Sequence, residues 1–485
     1  MMTARRVHRD ALTHASTTLA ARAFAALILA IAVGSGASAQ TLKLPPHEKV
    51  VLKNGLTVLL LEKSGVPMIN LYAIMKTGAA ADPAGEEGLA SVTAGLLRKG
   101  TKTRTAQQFA ADLDYIGGSF DADASADFSS VSAEFLTKDL ARGLELFSDA
   151  LLHPIFPQAE AEKLLAQDID GVKGAKDDPN QVLGLYYSGY LYGAHAYGRP
   201  AGGDELSLKR IQRDAIVKFY EGNYAPANTL LAVAGDFTGA EMRKKLEEAL
   251  GGWQTRAVSA ASLSAPASAK GKRLLLVDKP DATQTYFAIG NVGVAHNDPD
   301  RVAIRVVNTI FGGRFTSELN EALRVESGYT YGASSFFDSR KMPGPFGIFS
   351  FTKNETTTQA IDLALQVLQK LHRDGVSAQQ LKSAKSYIKG QFPPNMETSR
   401  QLAQIIASHE FYGLGDDEIN QLEARVDAVT PETARQVIQK HFPAENLVFV
   451  LIGSSAAIEK AVEKYAEKRD ARPIGEPGFW PPPSK

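Results

Sequence analysis

Two rhythms of apolar and polar positions run along the chain. SFDADASADFSSVSAEF (119–135) and GPFGIFSFTK (344–353) alternate with a period of two, which predicts antiparallel strands with one wet face. TTQAIDLALQVLQKLHRDG (357–375) and SAQQLKSAKSYIKGQF (377–392) repeat their apolar residues every three or four positions, which predicts amphipathic helices. TPETARQVIQKHF (430–442) opens on a Thr N-cap with a glutamate in its first turn, a helix start. Strands and helices in mixed order, with hairpins, predict an α+β protein built of mostly antiparallel sheets with helices packed on one face.

The pattern occurs twice. LTVLLLEKSGVPMINLYAIMKTGAAADPAGEEGLASV and KRLLLVDKPDATQTYFAIGNVGVAHNDPDRVAIRVV each read as strand, polar turn, alternating strand, small-residue loop, Asp-Pro and helix. Lys63 and Lys279 stand 216 residues apart, and so do Asp82-Pro83 and Asp298-Pro299. Equal offsets at two markers indicate a duplicated domain. Between the copies lies RAVSAASLSAPASAKGKR (256–273), rich in Ala and Ser, which reads as an exposed linker. The expected division is a first domain over 40–255, the linker, and a second domain over 274–485.

The length of 485 residues exceeds one ordinary core and agrees with two domains. With 53 basic against 54 acidic residues there is no global positive field to attract nucleic acid. The N-terminal series of basic MMTARRVHRD, apolar AFAALILAIAV and small-residue GASAQ has the form of an export signal over 1–39, cleaved after Ala39. The apolar run is too short to span a bilayer with ease, so no stable membrane anchor is expected after cleavage. The chain has no cysteine, hence neither disulfide nor lipid anchor through a thiol. Export in that form points to the periplasm.

Two stretches carry candidate chemistry. GLASVTAGLLRKGT (88–101) reads as a short amphipathic helix closed by Gly100, and FGGRFTSELNEALRVESGYTYGASSFF (311–337) places a helix before a strand. On these the chain resembles the M16 peptidases, the pitrilysin and insulinase group, over nearly its whole mature length. The resemblance implies two homologous α+β domains forming half of a clamshell. It also implies an inverted zinc motif, H-x-x-E-H, within G-L-A-H-x-x-E-H-x-x-x-K-G-T. Gly88, Leu89 and Ala90 match the lead-in, and Lys99, Gly100 and Thr101 match the exit without a gap. The two histidine positions hold Ser91 and Gly95, and the glutamate position holds Ala94. Two imidazoles at i and i+4 share a helical face and a metal, and the glutamate takes a proton from the metal-bound water. Ser, Gly and Ala do neither. The third ligand, a glutamate from a later helix, corresponds to Asp168, which alone does not hold zinc and reads as a solvated charge. His47, His153, His195, His296, His372, His409 and His441 include no pair at i,i+3 or i,i+4.

The second stretch keeps what the first has lost. The resemblance implies an arginine and a tyrosine, seven residues apart, facing the zinc across the cavity. Arg324 and Tyr331 stand at that spacing, Arg324 at the end of the predicted helix SELNEALRVE and Tyr331 at the start of the predicted strand YTYGASSFF. A guanidinium offers a fork of donors to a substrate carbonyl or carboxylate. A phenol can donate to the oxyanion formed when water attacks a peptide. The expectation is a non-zinc-binding subunit that completes the site of a heterodimeric M16B zinc peptidase. Zinc would reside in a partner carrying H-x-x-E-H, and the substrates would be peptides. The alternative is a structural or peptide-binding relative without a role in catalysis.

Overall fold

The computed structural model describes residues 43–258 and 263–480. The assigned export signal at 1–39, with its cleavage point, lies outside the described residues, as do linker positions 259–262 and the tail 481–485. Leu44–Lys485 forms one compact unit. Among the described residues no helix is long and apolar enough to cross a membrane.

Two six-stranded sheets organise the described residues. The first contains β1 (Glu48–Val51), β2 (Thr57–Glu62), β3 (Met68–Met75), β4 (Ser119–Ala124), β5 (Ser129–Leu136) and β6 (Thr229–Gly235), in the order β1-β2-β6-β3-β5-β4. The second contains β7 (Arg273–Asp278), β8 (Gln284–Val292), β9 (Ala333–Phe337), β10 (Pro345–Lys353), β11 (Val448–Gly453) and β12 (Lys468–Pro473), in the order β12-β7-β11-β8-β10-β9. Strands β2 to β6 therefore correspond one for one to β7 to β11. The outermost strand breaks the repeat: β1 joins β2 antiparallel, whereas β12 joins β7 parallel. The central strands β6 and β11 are buried at every position, so they read as continuous apolar runs. By contrast, β5 alternates buried and half-buried residues.

The helices used below are α1 (Leu89–Leu96), α2 (Gln158–Ala175), α3 (Pro179–Tyr192), α4 (Arg301–Phe311), α5 (Ala378–Gln391), α6 (Ser399–Tyr412) and α7 (Pro431–His441). Two of them cross between the halves. Helix α3 belongs by sequence to the first half, yet Val182, Leu183, Tyr186, Tyr187 and Tyr190 share a core with Leu275, Val277, Ala288, Val450 and Ile452 of the second sheet. Helix α6 belongs to the second half and lies on β3 and β6, burying Leu402, Ala403, Ile406 and Ala407. In β3, Ile69, Leu71, Ala73 and Met75 face the helices of their own half. The alternate positions Asn70, Tyr72 and Ile74 point to the side where α6 lies. The α+β class thus holds, and the second face of each sheet is closed by a helix from the other half.

Polar groups fasten the exchange. Tyr187 Oη donates to the Phe346 carbonyl (2.6 Å) and Tyr190 Oη to the Leu274 carbonyl (3.1 Å). The segment after β12 returns to the first half, where Lys176 Nζ meets Glu205 at 2.5 Å and donates to the carbonyls of Glu476 (2.7 Å) and Gly478 (3.3 Å). Glu205 in turn accepts the Gly478 N–H at 2.8 Å. The described part of the linker is mostly exposed but pinned at Ala269, which exchanges two hydrogen bonds with the Asn291 side chain (2.9 and 3.2 Å).

Candidate functional site

Helix α1 begins at a glycine that the geometry requires. Gly88 has φ +97°, and a Cβ there would meet Gly203 Cα at 2.9 Å. Asp82 accepts the N–H groups of Gly88 (2.9 Å) and Ala90 (3.0 Å), which satisfies two donors at the head of the helix. The helix packs on the edge strand β4 and on α2. The lead-in Gly-Leu-Ala thus builds the helix start, whatever stands one residue later.

The positions of the metal frame are closed by packing. Ser91 donates its hydroxyl hydrogen to the Ala201 carbonyl (2.9 Å), so its oxygen staples the 200–203 loop. Ala94 is fully buried. A Cβ at Gly95 would meet Leu164 Cδ2 of α2 at 3.2 Å, so the side chain of Leu164 covers this position. Asp168 lies one helical turn beyond Leu164. It is half-buried rather than solvated, has no hydrogen-bond or ion partner among the described residues, and burial raises its pKa. Serine, alanine, glycine and one isolated carboxylate do not fit a zinc ion.

Arg324 and Tyr331 hang from one tightly tied segment. A helical turn at Glu318–Asn320 continues into a wider turn at Glu321–Glu326, where the Ser327 N–H reaches back five residues to the Ala322 carbonyl (3.1 Å). The sequence predicts an ordinary helix here; the widening arises where the chain must leave the helix, since the N–H groups of both Tyr329 (3.0 Å) and Thr330 (3.2 Å) converge on the Leu323 carbonyl. The buried Asn320 side chain joins the ends, donating to the Phe315 carbonyl (2.6 Å) and accepting the Ala333 N–H (3.2 Å). Tyr331 does not begin the strand as expected. Strand β9 starts at Ala333, because the hydrogen bond from the Thr330 hydroxyl to the Gly332 carbonyl (3.0 Å) holds the preceding residues in a turn. Tyr331 is consequently 80% exposed. The Arg324 guanidinium lies over the Phe315 ring, 4.4 Å from its centroid, with no carboxylate partner among the described residues.

Residues 57–200 match the family described as insulinase (peptidase family M16), and residues 210–388 match the peptidase M16 inactive domain. The chain belongs to the M16 peptidase family. An uncharacterized zinc protease of Bacillus subtilis, YmxG, is 24% identical over 382 residues, spanning 78% of this chain and 92% of its own. An uncharacterized zinc protease of Mycobacterium leprae is 25% identical over 402 residues, 82% of this chain and 90% of its own. The solved peptidase M16 inactive domain from Pseudomonas fluorescens superposes with a TM-score of 0.79 at 23% identity, covering 84% of this chain and 98% of that one. A protease structure from Helicobacter pylori gives 0.77 at 20% identity, with 84% and 100% covered. This M16 chain shares the two-domain fold of half a clamshell.

Sequence spacing missed one group of ligand-type side chains. Asp298, Asp300 and His441 lie close enough to share an ion, but they come from the head of α4 and the end of α7, which no local spacing brings together. Asp300 is already paired: it accepts from Lys440 Nζ (2.7 Å) and faces His441 Nε2 at 2.8 Å, which lowers its pKa, while Asp298 accepts the Asp300 N–H at 2.8 Å. The arrangement is an ion-paired helix start.

Proposed function

We propose that this M16 chain is the non-zinc-binding, site-completing subunit of a two-chain peptidase. A zinc-bearing M16 partner with H-x-x-E-H would supply metal and base, and the pair would degrade peptides in the periplasm. One observation carries this reading: the same chain that fills its metal frame with Ala94 and Leu164 presents Tyr331 at 80% exposure. A tyrosine kept only for packing is normally half-buried. That relatives are named zinc proteases supports a peptide-handling reading. The outer edge of β4 also supports it. The outward backbone groups of Phe120 and Ala122 have no partner among the described residues, so an extended peptide has a strand to join.

The test is reconstitution with the zinc-bearing partner. The chain alone is expected to bind no stoichiometric zinc by elemental analysis and to cleave no peptide. In the assembled pair, Tyr331→Phe removes one donor and little volume. Loss of an oxyanion donor costs about 10²–10³ in turnover elsewhere; a smaller loss is expected here because the partner's metal shares that charge. Arg324→Ala is expected to raise KM as well as lower kcat. Both variants should co-elute with the partner. Unchanged kinetics in both would move the structural-subunit reading to first place.

A further inference from the structure

Beside the ends of β8 and β9 the second half opens into a cleft of about 740 Å3. Helix α4 forms one wall, α5 another, and His409 of α6 with the turn at Glu418 closes the third side. None of the metal-frame residues, and neither Arg324 nor Tyr331, lines it. Ile304, Phe337, Ile388 and Phe392 make its apolar part.

One cation of the cleft has no counter-charge among the described residues. Arg301 and Arg305 stand one turn apart on the same face of α4. Arg301 is paired with Glu418, and Arg425 engages the same carboxylate. Asp338, the other acid of the lining, is held by Arg340 at 2.7 Å. Arg305 has no ion pair and no hydrogen bond through its guanidinium among the described residues. It is open to water through the cleft, yet walled by protein closely enough that burial lowers its pKa. The imidazoles respond to the same field. Burial, then Arg301, pushes His296 down and His409 down to about 4. His409 Nδ1 is buried with no partner. Arg301 and Arg425 already share the Glu418 carboxylate, so Arg305, one turn along α4, is left to take an anion.

The rest of the lining says what the anion is attached to. An apolar floor beside the free guanidinium suits a carboxylate carried next to an apolar group. The Gln391 amide and the Ser339 hydroxyl also reach the cleft without side-chain hydrogen bonds among the described residues. A peptide backbone would pair these groups, whereas an acyl chain would leave them unmet. We propose that the cleft captures the free C-terminal carboxylate of a peptide ending in an apolar residue, with Arg305 as the carboxylate-binding group. Its planar fork matches a carboxylate through two parallel hydrogen bonds. Glu418 keeps Arg301 occupied, so Arg305 is the cation left for the ligand. The proposal rests on the peptide-handling reading above but uses a different site of the chain.

The experiment is fluorescence anisotropy on the purified chain with one N-terminally labelled decapeptide ending in Leu-Phe, made as the free acid and as the C-terminal amide. The acid is expected to bind at least about tenfold more tightly than the amide. Arg305→Gln should abolish the difference, and Arg305→Lys, which keeps the charge but not the fork, should retain part of it. Thermal melts establish that each variant is folded. Equal affinity for acid and amide, a difference that survives Arg305→Gln, or no binding of either peptide up to about 1 mM overturns the proposal. Arg305-dependent binding of dodecanoate without binding of the acid peptide overturns it in favour of a fatty acid. This proposal is judged by the acid-over-amide difference in the chain alone and the subunit reading by kinetics of the assembled pair, so the two failures are separable.

Discussion

Asp82 is 3% exposed and holds the head of α1 through two N–H groups, with the Arg199 guanidinium donating to its backbone carbonyl at 2.9 Å. Burial pushes its carboxyl up to about 7, and the two N–H bonds and Arg199 only partly oppose the rise. An unfolded aspartate titrates near about 3.9, so the folded chain binds this proton more tightly than the unfolded one. The stabilising contribution is complete below about pH 4 and is lost as pH rises through about 7. Asp82→Asn removes the titration. Between about pH 5 and pH 8 the parent should therefore lose more thermal stability than the variant, and parallel melting curves would mean that Asp82 titrates normally. Asp-Pro was legible in the sequence as a repeat marker, and the missing ligands were legible letter by letter. What Ser91 and Asp168 do instead was not, because a staple to Ala201 and a half-buried carboxylate depend on neighbours far along the chain.

At the scale of elements, the two copies treat their sheet edges differently. The outward groups of β4 at Phe120 and Ala122 are free among the described residues. On β9 the Ala333 N–H goes to Asn320, the Ser335 N–H to the Gly312 carbonyl (3.1 Å), and the Ser335 carbonyl to Asn308 Nδ2 (2.9 Å). Asn308 also accepts the Ser335 hydroxyl at 2.6 Å. An edge so covered cannot recruit another strand, while the edge in the first half can. Asn308→Ala strands buried groups of Ser335 and should cost about 1–3 kcal/mol in denaturant unfolding. It should also promote self-association visible by light scattering; a variant as stable and monodisperse as the parent would show that Asn308 is idle. Period-two alternation announced the β4–β5 hairpin and β10 correctly, since each has a wetter and a drier face. Asn308 inside the apolar run VVNTIF carried no such signal. Its meaning arises only when β9 comes to lie beside α4. The same holds for Arg305, whose spacing from Arg301 was visible while the cleft they line was not.

For the whole molecule, the exchange of α3 and α6 means that one face of each sheet is buried by a helix of the other half. The apolar stripe of a helix says that a face is buried, not which sheet buries it, and this is why the duplication was readable and the crossing was not. The C-terminal return makes the dependence testable. The side chains of Lys176 and Glu205 are each 6% exposed and clamp the backbone of Glu476 and Gly478 against the first half. Burial alone would raise the Glu205 carboxyl, but Lys176 and the Gly478 N–H more than offset it and hold it below its usual value. A depressed carboxyl contributes stability above its unfolded pKa of about 4.3, and the contribution is lost as pH falls through the lower folded value. Lys176→Met leaves a buried carboxylate without its cation and should cost about 3–5 kcal/mol at neutral pH. In that variant Glu205 takes up a proton more readily, so the deficit relative to the parent should shrink between about pH 5 and pH 3. The double variant Lys176→Met/Glu205→Leu should be less destabilised at neutral pH than the single one, because no unpaired charge remains buried. Urea unfolding of the three chains at both ends of that range measures this. A deficit in Lys176→Met that stays constant with pH would mean that the tail is held by Phe479 and Trp480 packing against Tyr186 and Tyr190, and that the ion pair adds nothing to the closure.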